Sequence, residues 1–154
     1  MEWFLNRNKD VHWAKSSCKE IVKGVVLGDE YALHDLALLT CFRITHIVCV
    51  GGECEPKWPT RYIYKKVDQG IPLIDQWNDS RKWMENALSE PENKVLVVSP
   101  DGIGRAAPLL IAYVLHKYNV SLQVALEHVL CKKEGTQLEP EGVVEDMKEF
   151  EKMQ

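Results

Sequence analysis

The chain has 154 residues, of which 45% are hydrophobic and 27% are charged, and its formal net charge is −4 at pH 7. This size suits one globular domain that buries about two-thirds of the surface its unfolded chain exposes. The mild acidity gives no sign of binding to nucleic acid or to a membrane surface. No apolar run approaches the roughly 20 residues needed to cross a bilayer.

The first half of the chain is predicted to alternate strands and helices. Residues 1–20 are predicted to form an N-terminal extension or a short leading helix, and residues 21–154 a single domain. Runs of β-formers indicate strands, and apolar residues at helical spacing indicate helices. In chain order we expect a strand over 24–28, a helix over 31–40, strands over 45–50 and 62–67, and a helix over 75–88.

The second half begins with the most apolar strand of the chain. Lys94–Val98 lacks polar alternation, as expected for a strand covered on both faces. Three helices are predicted after it, over 105–118, 121–132 and 142–153, with Ser121 as an N-cap and Pro108 in a first turn. The alternation predicts an α/β sandwich whose central, mainly parallel sheet is flanked by helices.

The loop between that strand and the next helix predicts an anion site. Glycines at a strand-to-helix turn let successive backbone N–H groups surround one point, where the helix dipole also favours negative charge. A guanidinium at the mouth of the helix adds a planar fork suited to phosphate oxygens. The candidate phosphate-binding residues are Ser99, Asp101, Gly102, Ile103, Gly104 and Arg105.

Two residues of the loop weaken this prediction. Pro100 has no N–H to donate, and the loss of one charge-assisted hydrogen bond costs about 1.5–3 kcal/mol. Asp101 places a negative charge near the expected anion. The affinity of the loop is therefore left open.

The frame Ser99-x5-Arg105, with glycines at the third and fifth intervening positions, resembles the phosphate loop of protein tyrosine and dual-specificity phosphatases. Other stretches resemble the same family in the same order, so that the similarity covers residues 20–150. These stretches are residues 21–29, 43–48, 61–64, 111–117 and 139–142. The resemblance implies the dual-specificity phosphatase fold, with a nucleophile at the position of Ser99 and a general acid at the position of Asp68.

Three departures from that family pattern imply a catalytically inactive protein. The family uses a low-pKa cysteine where this chain has Ser99, and a hydroxyl does not ionise usefully in the same field. Val98 replaces the histidine before the nucleophile, and Ala106 replaces the hydroxyl after the arginine. Without a nucleophile there is no cleavage step in which Asp68 could protonate a leaving oxygen. We therefore expect Asp68 to be a vestigial or pocket-lining residue, and we expect no catalytic residue in this protein.

The five cysteines form no repeating framework, which is typical of reduced thiols in a cytosolic protein. Cys49 and Cys54 have no second cysteine or histidine pair at ligand-like spacing, so no metal site is predicted. No cofactor is expected. The N-terminus carries an acid and no long apolar core, so it does not read as a secretion signal. We expect a cytoplasmic location, with the nucleus as an alternative.

Three functions remain open from the sequence. The leading one is a pseudophosphatase that binds a phosphoprotein, a kinase or a phosphatase partner, with phosphate or sulfate in the loop, and acts as competitor, protector or scaffold. The second is an active dual-specificity phosphatase whose cysteine was changed to serine as a substrate trap, although Val98 argues against a single change. The third is an interaction module that uses a surface other than the phosphate loop.

Overall fold

A single five-stranded sheet forms the centre of the protein. The computed structural model describes residues 18–52 and 54–132, together with Glu145, Met147, Lys148 and Phe150. The strand order is β1-β2-β5-β3-β4, with β1 antiparallel to β2 and the pairs β2–β5, β5–β3 and β3–β4 parallel. The predicted mainly parallel sheet is confirmed. The strands are β1 Cys18–Val22, β2 Val25–Gly28, β3 His46–Val50, β4 Ile63–Val67 and β5 Val95–Val98.

Helices cover both faces of the sheet. They are a 3₁₀ helix Glu30–His34, α1 Leu36–Cys41, α2 Leu73–Leu88, α3 Ile103–Tyr118 and α4 Leu122–Lys132. The helix expected over 31–40 is divided because Asp29 and Asp35 each cap a separate first turn with their Oδ1 atoms. The predicted N-cap Ser121 is confirmed, since its Oγ accepts the N–H of Val124 at 3.2 Å.

The strand expected over 24–28 is confirmed as β2, but the single opening strand over 21–29 that the family resemblance implies is divided by a turn. The chain reverses at Lys23-Gly24, where Gly24 has φ +85°, and Val22 pairs with Val25 across this two-residue turn. Residues 18–20, expected in the N-terminal extension, therefore belong to β1. Residues 1–17 of the predicted extension lie outside the described residues, as does most of the helix expected over 142–153.

The core has two parts, one on each face of the sheet. In β5, Val95 and Val97 belong to the buried cluster that includes residues of α2, α3 and α4, whereas Leu96 and Val98 belong to the cluster that includes residues of α1 and the 3₁₀ helix. All four side chains are fully buried, so β5 is the doubly covered strand that its sequence predicts. No helix in the described part of the chain is long and apolar enough to span a membrane.

The start of α3 also differs from the prediction. The helix begins at Ile103, two residues before the expected start, and Pro108 consequently lies in its second turn rather than its first. Because proline has no N–H, the carbonyl of Gly104 four residues earlier receives no helical hydrogen bond from it. The earlier start places Gly104 and Arg105 inside the first turn of the helix.

One pair of cysteines is joined, so the prediction of reduced thiols is wrong for them. Cys49 and Cys54 form a disulfide with a Cα–Cα distance of 6.3 Å. The chain leaves β3 and turns through Gly51 and Gly52, whose φ values of +73° and +62° suit glycine. A count of cysteines does not reveal this turn. Cys18, Cys41 and Cys131 are free.

Candidate functional site

Three loops meet at the carboxyl-terminal edge of the parallel strands. The strands β3, β4 and β5 run in the same direction and in register, with Val50 opposite Val67 and Cys49 opposite Val98. The segments that follow them begin at Gly51, Asp68 and Ser99, and they therefore emerge side by side. This is the edge at which α/β sheets bind ligands.

Ser99 lies at the base of the phosphate loop and is fully buried. Its Oγ accepts the backbone N–H of Asp101 at 3.1 Å, and its carbonyl accepts the N–H of Gly102 at 3.3 Å. Within the described residues no histidine or carboxylate is hydrogen-bonded to the hydroxyl. Ser99 therefore organises the loop through its own hydrogen bonds and has no base to activate it.

The loop passes into α3 through a glycine. Gly102 is the residue before the helix and has φ +118°, a conformation that L side chains rarely adopt, although a Cβ there would meet no atom within 4 Å. The N–H groups of Ile103 and Gly104 belong to the first turn, where no helical acceptor exists. Neither N–H has another partner among the described residues, so both are available to an anion.

Arg105 stands in the same first turn, and its side chain is exposed. Its backbone N–H donates to the carbonyl of Gly102 at 3.1 Å, which fixes the backbone at the mouth of the loop. The guanidinium has no hydrogen bond or ion pair with any residue that the structure describes. The guanidinium is thus carried by the same helical turn as the free N–H groups, and both are donors that suit phosphate oxygens.

Asp68, at the position expected for a general acid, forms its hydrogen bond locally. Its Oδ1 accepts the N–H of Gly70 at 2.8 Å, and the carboxylate makes no hydrogen bond to residues 99–105. The neighbouring Gln69 reaches the phosphate loop instead, since its Nε2 donates to Asp101 Oδ2 at 2.8 Å. The sequence did not single out Gln69, and its place beside Asp68 is the one signal that could have found it.

The two positions that flank the family frame are apolar and inaccessible. Val98 ends β5 and Ala106 lies in α3, and both are fully buried. Neither side chain can donate a hydrogen bond to a group at position 99. Among the described residues no cluster of three or more histidine, cysteine or acidic side chains could hold a metal ion.

Sequence comparisons relate the chain to protein phosphatases, although no family model matches it. It is 31% identical over 150 residues to protein phosphatase Slingshot of Drosophila melanogaster, covering 88% of this chain and 14% of that protein. It is 29% identical over 119 residues to protein phosphatase Slingshot homolog 3 of Homo sapiens, covering 75% of this chain and 18% of that protein. The chain thus spans less than a fifth of the length of these two relatives.

A shorter relative and two solved structures also relate the chain to phosphatases. Dual specificity protein phosphatase 1 of Arabidopsis thaliana is 27% identical over 116 residues, which are 73% of this chain and 59% of that protein. The human tyrosine phosphatase-like serine/threonine/tyrosine-interacting protein superposes with a TM-score of 0.72 at 23% identity, covering 88% of this chain and 96% of the other. A leucine rich repeat and phosphatase domain containing protein from Entamoeba histolytica gives 0.69 at 20% identity, covering 89% and 92%.

These likenesses confirm the fold that the sequence predicted. The sheet order, the phosphate-loop position at the end of β5 and the following helix all belong to one known architecture. The chain has the dual-specificity phosphatase fold, and its sequence similarity to Slingshot and dual-specificity phosphatases supports its placement in that family.

Proposed function

We propose that this protein is a pseudophosphatase that binds a phosphorylated segment of a partner protein at the phosphate loop without cleaving it. In this role it acts as a competitor, protector or scaffold for the partner. The observation that carries the proposal is the state of Ser99, which is fully buried and whose hydroxyl oxygen accepts the N–H of Asp101.

Hydrolysis through a covalent intermediate needs an activated nucleophile. A serine becomes one only when an adjacent base takes its proton, and the described residues place no base against Ser99. His46 is bound to Thr45 and His128 to the carbonyl of Ile21, so these two imidazoles are already engaged elsewhere. Both observations support a loop that does not turn over a phosphoester.

Binding does not need these missing parts. The Arg105 guanidinium and the N–H groups of Ile103 and Gly104 can still meet the oxygens of a phosphoryl group. The Ser99 hydroxyl is neutral, so it does not repel a phosphate dianion as a thiolate would. The loop therefore retains the attractive half of the family's chemistry while lacking the reactive half.

The names of the compared proteins point in both directions. The Slingshot relatives are called phosphatases. Their names favour the alternative in which this chain is an active phosphatase whose cysteine was changed to Ser99. The human structural neighbour is called phosphatase-like and interacting, which is the outcome expected for a binding protein. Buried apolar Val98 favours the binding role. A change of the nucleophile alone would leave the family's histidine at position 98, and this chain has valine there.

Two measurements on the intact chain test the proposal. Turnover of p-nitrophenyl phosphate and of a phosphotyrosine peptide is expected to be absent. Calorimetric or NMR titration with the same phosphopeptide, beside its unphosphorylated copy, is expected to show binding that requires the phosphate. Turnover above a protein-free control would refute the non-catalytic role, and equal binding of both peptides would refute recognition of phosphate.

Interaction through another surface is the second candidate. Two observations favour it. The N–H groups of Asp101 and Gly102 already donate to Ser99, and Pro100 has no N–H. Fewer donors then remain for an anion. A partner whose affinity is unchanged by free phosphate and by replacement of Arg105 would identify this candidate.

A further inference from the structure

The turn after β3 is the surface on which the phosphate loop rests. A Cβ placed on Gly52 would lie 3.1 Å from Pro100 Cγ and 3.3 Å from Asp101 Oδ2. The N–H of Gly51 donates to the carbonyl of Val67 at 2.7 Å, which ties the same turn to the end of β4. The turn therefore contacts both of the other segments that form the site, at the end of β4 and in the phosphate loop.

Gln69 joins this turn to the phosphate loop. Its side chain covers Gly51 so closely that a Cβ there would overlap it, and its Nε2 donates to Asp101 Oδ2 at 2.8 Å. Gln76 of α2 braces the backbone beside Gln69, because its Nε2 donates to the carbonyl of Ile71 at 3.0 Å. The Asp101 carboxylate is thereby held against Gly52 by a neutral amide.

A disulfide closes the turn that supports these contacts. Cys49 lies opposite Val98 in the sheet, and Val98 is the residue before Ser99. Cys49 is bonded to Cys54, which follows the two glycines of the turn. Glycines lose more conformational freedom on folding than other residues, and a crosslink restricts the loop that it closes. The disulfide therefore restricts a turn whose two glycines give it large backbone freedom.

We propose that the Cys49–Cys54 disulfide is a positioning crosslink that, through the turn and Gln69, keeps the Asp101 carboxylate away from an anion in the phosphate loop. This inference rests on the proposed function, because it concerns the same anion site. Without the crosslink the turn relaxes, Gln69 loses its support, and the Asp101 carboxylate is free to approach and repel a phosphate dianion.

The same arrangement makes anion binding depend on the oxidation state of the pair. A dithiol such as dithiothreitol supplies two electrons and two protons, which break the S–S bond and give two cysteine thiols, while the dithiol becomes a cyclic disulfide. Cys49 and Cys54 are both buried, so a thiolate reaches them only after the turn opens, and reduction is expected to be slow.

The test is an NMR titration with inorganic phosphate of the oxidised protein and of the double variant Cys49→Ser, Cys54→Ser. We expect the double variant to bind phosphate about 3- to 10-fold more weakly, which corresponds to the repulsion of about 1 kcal/mol between two unit charges a few ångströms apart in water. The matched control is Cys41→Ser, Cys131→Ser, which changes two exposed free cysteines and is expected to bind as the parent does. Burial raises the pKa of the Cys18 thiol to about 12, so Cys18 stays protonated and is retained.

Two further variants separate positioning from simple damage to the fold. Gln69→Ala is expected to weaken phosphate binding to the same degree, with no further loss when it is combined with the double serine variant. Asp101→Asn added to the double serine variant is expected to restore the affinity, because it removes the repelling charge. Equal affinity of oxidised protein and double variant, or failure of Asp101→Asn to restore binding, would overturn the inference.

A separate readout covers the case in which no protein binds phosphate. That result would overturn the proposed function, and the positions of the amide signals of residues 101–105 would then decide the inference. Signals that move between the oxidised protein and the double variant, but not in the Cys41→Ser, Cys131→Ser control, would uphold the positioning role. Unmoved signals would overturn it.

Discussion

Replacement of Arg105 by methionine removes the guanidinium while leaving the helix intact. The side chain is exposed, and among the described residues it has no hydrogen bond or ion pair to lose. Methionine and arginine have similar helix propensities, and a surface substitution of this kind changes the free energy of unfolding by about 0.5 kcal/mol or less. Any large change in binding therefore reports on the site and not on folding.

The expected loss of phosphopeptide affinity follows from the donors at the loop. A hydrogen bond to a charged group contributes about 1.5–3 kcal/mol, and about 1.4 kcal/mol corresponds to a tenfold change in Kd. Loss of the guanidinium is thus expected to weaken binding about 10- to 100-fold. The N–H groups of Ile103 and Gly104 remain and account for the residual affinity.

The assay is a calorimetric titration with a phosphotyrosine peptide at low and at physiological salt. Arg105→Lys is expected to give an intermediate affinity, since an ammonium keeps the charge but lacks the planar fork. Lys117→Met is the matched control, because it removes a positive charge from the same helix about 18 Å away along its axis. Its effect is expected to be less than about twofold at physiological salt, where such distances are screened.

One result would refute this reasoning directly. If Arg105→Met bound the phosphopeptide as tightly as the parent protein, the phosphate loop would not be the binding site. If Lys117→Met weakened binding as much as Arg105→Met, general attraction by positive charge would explain both results, and no role specific to the loop would remain.

Three other predictions follow from single residues. Ser99→Cys is expected to give no phosphatase turnover, because buried apolar Val98 and Ala106 leave a thiolate unsupported; p-nitrophenyl phosphate hydrolysis measures it. Gly102→Ala is expected to lower the free energy of unfolding by about 1–3 kcal/mol in urea titrations, since φ is +118° and only the backbone conformation opposes the methyl group. Burial lowers the pKa of His46 from 6.5, so the unfolded chain binds the proton more readily than the folded protein does. The free energy of unfolding is therefore expected to decrease as the pH drops below about 6.5. His46→Phe is expected to reduce that decrease, measured as urea midpoints between pH 7.5 and 5.5.

Each of these has a contrary outcome. Family-like turnover by Ser99→Cys would mean that the two flanking departures matter little. An unchanged urea midpoint for Gly102→Ala would mean that the loop adopts another backbone conformation at that residue. An identical pH profile for His46→Phe would assign the acid sensitivity to other groups.

The fold could be predicted because its strongest signals are local. Val95–Val98 is an uninterrupted apolar run, and a buried parallel strand has that pattern whatever surrounds it. The helix that follows is buried without a break from Ala106 to Val114, and a run of that length favours a helix over a strand. The errors lie where one residue redirects the chain, as Gly24 does in the β1–β2 turn and Asp35 does between the two short helices.

The candidate site could be predicted only along the chain. Ser99, Gly102 and Arg105 belong to one loop, so their spacing alone indicates their association. Gln69 lies 32 residues from Asp101 in sequence, and no local pattern relates an amide to a carboxylate at that separation. The contact exists because β4 and β5 end at the same edge of the sheet.

The sequence by itself determined the strand–loop–helix unit with serine at position 99, because sterics, apolar runs and turn residues act over a few positions. Only the tertiary structure decided the Cys49–Cys54 bond and the contact of Pro100 and Asp101 with Gly52. It also decided the hydrogen bond by which the Gln69 amide holds the Asp101 carboxylate. The physical reason is parallel strand pairing, which brings the ends of β3, β4 and β5 together and so joins residues that no short-range rule relates.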